Sequence, residues 1–224
     1  MSANTLKGIA LVAMTIDHAG LLLFPEVSWM RIIGRIAFPI FAFMIAEGCR
    51  YTRSHWKYLQ KIALMGIGMQ LVLFAVSRSL YQSVFISFTL AILLIYALEQ
   101  AKKEQKIRDW ICVGGVVFVI AFLCLGLPEI LHQTDYGIDY NIVGILIPVG
   151  CYFAKSRNQR LIVFALGLVA LSVFYGGIQW FCLLAVPLIG SYNNQRGKFR
   201  LKNLFYFYYP AHLCVIYAID RMIG

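Results

Sequence analysis

The sequence predicts an all-α, polytopic transmembrane bundle of about nine spans, and three observations predict it. Hydrophobic residues make up 61% of the 224 and charged ones only 13%, about half the charged share of an ordinary globular domain. The apolar residues fall in runs close to the ~20-residue length that crosses a bilayer. The loops between those runs alternate between strongly basic and nearly free of Lys and Arg. Nine spans use about 160 to 180 residues at that length. This leaves loops and tails, so a single integral membrane domain over 1–224 is predicted, with no soluble catalytic domain attached. Any chemistry must then come from helix-borne side chains and short loops.

The spans fall at 5–24, 29–49, 57–76, 83–100, 109–127, 138–154, 160–176, 178–190 and 203–222. The first is interrupted by Asp17-His18 and has no small-residue cleavage site before Pro25, so it reads as a span and not as a removable signal peptide. The second, sixth and ninth carry Pro39, Pro148 and Pro210, each of which withdraws one backbone donor from a helix. The eighth is short, holds Pro187 and follows Gly176-Gly177. It reads either as a half-helix or as a continuation of the seventh.

Four loops hold 15 of the 20 basic residues. They carry Arg50, Arg53, Lys57 and Lys61 after span two, and Lys102, Lys103, Lys106 and Arg108 after span four. Lys155, Arg157 and Arg160 follow span six, and Arg196, Lys198, Arg200 and Lys202 follow span eight. The intervening loops hold Glu26, Glu129, Asp135 and Asp139 instead. Positive-inside bias predicts a multi-pass protein of the cytoplasmic membrane, with the amino terminus inside and the carboxyl terminus outside. It also explains the net charge of +10 without nucleic acid. The six cysteines are scattered without a CxxC pair or metal-ligand spacing, and predict no metal.

Ionisable residues inside spans mark a functional interior by default. Most lie in the first two: Lys7, Asp17 and His18, then Arg31, Arg35 and Glu47. Folded as a hairpin about residue 27, Lys7 and Glu47 fall at matching depth on the inner side. Asp17, His18 and Arg35 fall together in the outer half, and sign-complementary sets of this kind are how buried charge is tolerated. Lys7 and His18 are eleven residues apart, about three turns, so both lie on one face roughly 16 Å apart. Asp17 points about 100° away from His18 and is better placed to pair with Arg35. Each charge also has a bland reading. Lys7 and Arg31 sit where side chains snorkel, Glu47 where an acid meets solvent, and Asp17 with Arg35 where a structural ion pair suffices. His18 has few partners to expect on an apolar face.

His212 lies in span nine after Phe205-Tyr206-Phe207-Tyr208-Tyr209-Pro210. Two readings stand: it donates to a backbone carbonyl released near Pro210, or it faces His18 across a cavity. The outer loop from His132 to Tyr140, with Asp135 and Tyr136, is dense in hydrogen-bonding groups. It reads as a solvated loop or as the lip of an outer site.

Four clusters of these residues carry a resemblance. They are Leu6-Lys7-Gly8-Ile9-Ala10 running to Ile16-Asp17-His18; Arg31-Ile32-Ile33-Gly34-Arg35 through Phe43 with Glu47-Gly48; Thr134-Asp135-Tyr136-Gly137 with Gly144; and Phe207-Tyr208-Tyr209-Pro210-Ala211-His212-Leu213. Together the chain resembles the TraX family, named for a conjugative-plasmid protein that acetylates the amino terminus of pilin. The Lys7-to-His18 spacing more distantly resembles the Arg-to-His spacing of membrane acyltransferase-3 proteins, with Lys in place of Arg.

The resemblance implies an acetyl-CoA-dependent acetyltransferase, with acetyl-CoA as donor and an extracytoplasmic acceptor, a pilin-like peptide amine or an envelope glycan. His18 is then the general base or acetyl carrier, with Asp17 and His212 beside it. Lys7, Arg50, Arg53 and Lys57 are expected on the donor's phosphates. Arg31, Arg35, Glu47, Asp135, Tyr136 and Tyr209 are expected to organise the site. Beyond lipid, a homo-oligomer is compatible with this reading. A different class, a proton-coupled transporter, would use Asp17, His18 and Glu47 as a relay, though no inverted repeat is visible to support it.

Overall fold

Helix α1 (Ala3–Leu22) begins where Ser2 accepts the Thr5 N–H at 3.2 Å. The Ala3 and Asn4 N–H groups, which have no partner inside the helix, donate to the Gln195 and Arg196 carbonyls at 2.8 and 3.2 Å. The computed structural model describes residues 1–197 and 202–223, without the side chains of 202–207, Pro210 and Ile223. The expectations resting on the Lys198, Arg200 and Lys202 side chains, on Phe205-Tyr206-Phe207 and on Pro210 lie outside the described residues.

The chain forms two compact units. The first combines Met1–Met44 with the chain from Phe164 onward. After α1 come α2 (Ser28–Gly34) and α3 (Ala37–Tyr51), separated by Arg35-Ile36. Pro39 explains the break, because it cannot donate to the Arg35 carbonyl and its ring crowds that turn. The chain is held there instead by Arg35 and Ile36 N–H bonds to the Ile32 and Ile33 carbonyls. Helix α2 packs closely on α1, and Gly34 makes that possible: a Cβ there would lie 2.1–2.3 Å from the Asp17 side chain. Phe38, Ile40, Ala42, Phe43, Phe164 and Leu168 fill the interior.

In unit two, α4 (His55–Ser77), α5 (Val84–Glu104) and α6 (Ile107–Ala121) run in sequence, with α5 packed against α4, α6 and α8 (Asn141–Phe153). A π-helical turn (Phe122–Gly126) links α6 to the short α7 (Leu127–Ile130). Helix α8 touches both ends of this unit. Before it, the Gln82 N–H donates to the Gly137 carbonyl at 2.7 Å and the Asp139 N–H to the Gln82 carbonyl at 3.1 Å. At its far end, Arg50 Nη2 donates to the Tyr152 carbonyl at 2.7 Å.

The return to unit one is α9 (Arg157–Tyr175), an eight-residue 3₁₀ stretch (Gly177–Leu184), α10 (Ala185–Gly190) and α11 (Lys202–Ile223). Gly176 and Gly177 both have positive φ (67° and 52°), the left-handed region where glycine carries no Cβ penalty. This turn ends the seventh apolar run and separates it from the eighth.

Each predicted apolar run forms a helix, and among the described residues there is no strand. Among the described residues, six helical segments are long and apolar enough to cross a membrane: Ala3–Leu22, Ser28–Tyr51, His55–Ser77, Val84–Glu104, Ile107–Ile130 and Arg157–Tyr175. Asn141–Phe153 and Gly177–Gly190 are shorter, so the expected sixth and eighth spans fall below the usual length. Leu64, Ile67 and Leu71 of α4, Ile111 and Phe118 of α6, and Leu166 and Val173 of α9 are all exposed. Apolar surface of this extent belongs against lipid. The chain is an all-helical membrane protein.

Candidate functional site

His18 and His212 are in direct contact within unit one, with no cavity between them. His18 Nδ1 and His212 Nε2 are 2.8 Å apart, and the rings lie at 5.0 Å and 30°. His212 Nδ1 is 3.0 Å from the Tyr208 carbonyl. A carbonyl only accepts, so His212 Nδ1 carries the proton and the Nε2 of a neutral His212 is an acceptor. His18 Nδ1–H is therefore the donor across the pair. That leaves the lone pair of His18 on Nε2, to which nothing among the described residues is hydrogen-bonded. His212 thus bonds a backbone carbonyl, that of Tyr208, through one ring nitrogen and meets His18 directly through the other, in place of the expected cavity.

Tyr208 was not singled out from the sequence, yet it contributes twice more. Its ring stacks on His212 at 5.4 Å and 11°. Its hydroxyl meets Thr15 Oγ1 at 2.8 Å, while the Thr15 hydroxyl donates to the Leu11 carbonyl at 2.9 Å. Tyr209 sets its edge against both imidazoles, at 6.0 Å from His18 and 5.3 Å from His212. Thr15 with His18 (i, i+3) and Tyr208 with His212 (i, i+4) are same-face helical pairs, and that spacing was the available signal.

Beside His18, the Asp17 carboxylate sits between two guanidinium groups. Arg35 Nη2 donates to its two oxygens at 2.9 and 3.0 Å, the pairing its helix position favours. Arg31 Nη1 reaches Asp17 Oδ2 at 3.0 Å and the Asp17 carbonyl at 3.1 Å. Arg35 also donates through Nε to the Arg31 carbonyl and through Nη1 to Gln179 Oε1, both at 3.3 Å. Gln179 is 4% exposed and was missed; a lone amide in the apolar run after Gly176-Gly177 was the clue. Its Nε2 has no hydrogen-bond partner among the described residues.

The remaining expected site residues lie apart from this cluster. Glu47, in unit two, takes Arg160 as its counter-ion at 2.7 Å, with Glu47 buried and Arg160 partly buried. Arg50 is turned onto the Cys151, Tyr152 and Ala154 carbonyls, where it caps the carboxyl end of α8. Arg53 and Lys57 are exposed beside the amino end of α4. Lys7, in α1 of unit one, has Arg196 as a charged neighbour.

A family model described as TraX protein matches residues 2–220. The chain belongs to the TraX family. It is 27% identical to a probable fimbrial assembly protein FimC of Dichelobacter nodosus, over 96% of this chain and 94% of that one. It is 26% identical to Protein TraX of Escherichia coli (strain K12), over 95% of this chain and 85% of that one. An uncharacterized protein of Rickettsia prowazekii is 40% identical over 70% of this chain and 58% of its own length. No solved structure matches.

Of the four clusters that carry the TraX resemblance, parts of three meet at the His18 site: Asp17-His18, Arg31 with Arg35, and Tyr208-Tyr209 with His212. The fourth, Thr134-Asp135-Tyr136-Gly137, clamps unit two. Asp135 accepts from the Ser79 hydroxyl and the Leu80 N–H, which hold its carboxyl below the usual range. Tyr136 donates to the Leu123 carbonyl at 3.2 Å and Asn141 Nδ2 to the Cys124 carbonyl at 3.4 Å. Both carbonyls belong to the π turn, whose widened ladder releases acceptors.

Proposed function

We propose that this TraX-family protein is a membrane acetyltransferase that moves an acetyl group from acetyl-CoA to an amine or hydroxyl on an extracytoplasmic acceptor. The observation that carries the reading is the hydrogen-bond chain from His18 through His212 to the Tyr208 carbonyl, which leaves the lone pair of His18 on Nε2. As the acceptor attacks the thioester carbonyl, a C–N or C–O bond forms and the C–S bond breaks. The acceptor's proton goes to Nε2 and from there to the departing CoA thiolate. His212 Nε2 holds the His18 Nδ1–H throughout and steadies the imidazolium. In the covalent variant the same Nε2 carries the acetyl group first.

The polyanionic donor fits the basic loops. Arg53 and Lys57, both in unit two, are exposed and without an acid partner among the described residues. Arg50 serves α8 instead. The printed name of the D. nodosus relative, a probable fimbrial assembly protein, favours a fimbrial peptide amine as acceptor. The relay reading finds no support, since Asp17 and Glu47 are each committed to arginine.

We also infer nine crossings with the amino terminus in the cytoplasm. Thr15 pairs with Tyr208 and His18 with His212, so α1 and α11 run parallel, and α11 must be an odd-numbered crossing. Six long segments precede it, so the two shorter helices cross together or not at all. Helix α8 reaches both ends of its unit, which favours both crossing.

Acetyl transfer by purified protein in lipid discs tests the assignment. His18→Ala and His18→Gln are expected to lose about 10²- to 10⁴-fold in rate, the contribution of a positioned base. Near-wild-type transfer by either variant overturns it. Mass spectrometry of protein quenched in turnover separates the two routes by the presence or absence of acetyl on His18.

A further inference from the structure

We propose that Arg31 recognises a carboxylate carried by the acceptor, so that this site prefers acceptors with an acidic group close to the reacting amine or hydroxyl. The inference rests on the acetyltransferase reading and names its substrate class. Its basis is a charge imbalance with a direction. Asp17 supplies one negative charge to two guanidinium groups, and His18 is neutral in the hydrogen-bond pattern above. The cluster thus keeps a net positive charge in apolar surroundings, where an uncompensated ion is costly. Glu26, the other acid on the α1–α2 connection, is exposed and forms no ion pair with Arg31 among the described residues.

The two arginines are used differently. Arg35 spends Nε, Nη1 and Nη2 on Arg31, Gln179 and Asp17, and its side chain is 14% exposed. Arg31 is 24% exposed and meets Asp17 through Nη1 alone. Among the described residues its Nε and Nη2 have no partner. That pair of parallel N–H donors is the fork that matches a carboxylate. Asp17 grips the guanidinium from the other side and fixes its direction.

The fork also sits close to the reacting group. Arg31 Nη1 is 3.1 Å from the Asp17 carbonyl, whose carbon is bonded to the His18 nitrogen. Standard bond lengths then place the fork on the order of 10 Å from His18 Nε2. An extended peptide covers that distance in about three residues. An acceptor with Asp or Glu among its first three residues would set its carboxylate on Arg31 with its amine at His18.

The test uses two tripeptide probes, Ala-Gly-Glu amide and Ala-Gly-Gln amide, which differ only in that charge. Transfer from acetyl-CoA is followed with wild type and Arg31→Gln in neutral phosphatidylcholine discs and again in discs containing anionic phosphatidylglycerol. Wild type is expected to favour the acidic peptide by about 10- to 100-fold in kcat/KM, the range of a charge-assisted hydrogen-bonded pair, mostly through KM. Arg31→Gln is expected to erase most of that preference in both lipids. An equal loss on both peptides, a loss that appears only with anionic lipid, or a raised KM for acetyl-CoA overturns the inference. These outcomes assign Arg31 to structure, to lipid phosphate or to the donor. Binding of both peptides is also measured without acetyl-CoA. Equal Kd values overturn the inference, whereas a preference for the acidic peptide with no acetyl moved leaves it standing and overturns the acetyltransferase reading.

Discussion

His212 shows how one backbone carbonyl can set the chemistry of a side chain two contacts away. The Tyr208 carbonyl holds the His212 Nδ1–H, which makes Nε2 an acceptor, which holds the His18 Nδ1–H and frees His18 Nε2. His212→Leu removes the acceptor and orphans a buried donor, at about 1–3 kcal/mol. It is expected to lower kcat about 10- to 100-fold with little change in KM for acetyl-CoA. His212→Gln, whose side-chain carbonyl can accept from His18, is expected to recover a large part of that loss. Equal rates for the two variants would mean that His212 does not position His18. The Asp17–Arg35 pair was legible in the sequence because both lie at one depth of a hairpin. Gln179 and Arg160 were not, because their partners come from elements 144 and 113 residues away and no periodicity spans such distances.

The α2–α3 break brings the two arginines to Asp17. Pro39 ends the continuous ladder, Arg35 falls in the gap, and Gly34 leaves the space that the Asp17 side chain occupies. Gly34→Ala would put a methyl group into that carboxylate. It is expected to cost about 1–3 kcal/mol, the usual range for overpacking, and to lower the melting temperature of the purified protein. Gly8→Ala, on the same α1 but with open space at its Cβ, is the control expected to leave it unchanged. A normal melting temperature for Gly34→Ala would mean that α2 does not depend on close approach to α1. The helices themselves were legible, since apolar runs and prolines mark their bodies and breaks. The purpose of the Thr134–Gly137 segment was not: its hydrogen-bonding groups suggested a lip over the site, while its carboxylate and phenol hold a loop and a π turn in unit two. Polar density shows that bonds will form, and only the fold shows with what.

At the scale of the whole chain, the two short helices decide the topology. Gly177–Gly190 begins beside Gln179, bonded to Arg35, and ends at Ser191, bonded to the Met1 amino group. It therefore runs opposite to α1 over most of α1's length. Its eight 3₁₀ residues rise about 2.0 Å each and its six α-helical residues about 1.5 Å each. Together these give about 25 Å, more than an α-helix of that length and close to the ~30 Å apolar core of a bilayer. Hydropathy windows undercount such a segment because they assume α-helical rise. Single cysteines in a cysteine-free background provide the measurement, read with a membrane-impermeant maleimide on intact cells. Gln133→Cys is expected to label on intact cells, while Asn158→Cys and Gln195→Cys label only after permeabilisation. All three positions are exposed in the structure, so reactivity reports the side of the membrane. Labelling of Asn158→Cys on intact cells would put the end of α8 outside and remove one crossing, and the parallel α1–α11 pairing would then require Gly177–Gly190 to stay on one side as well.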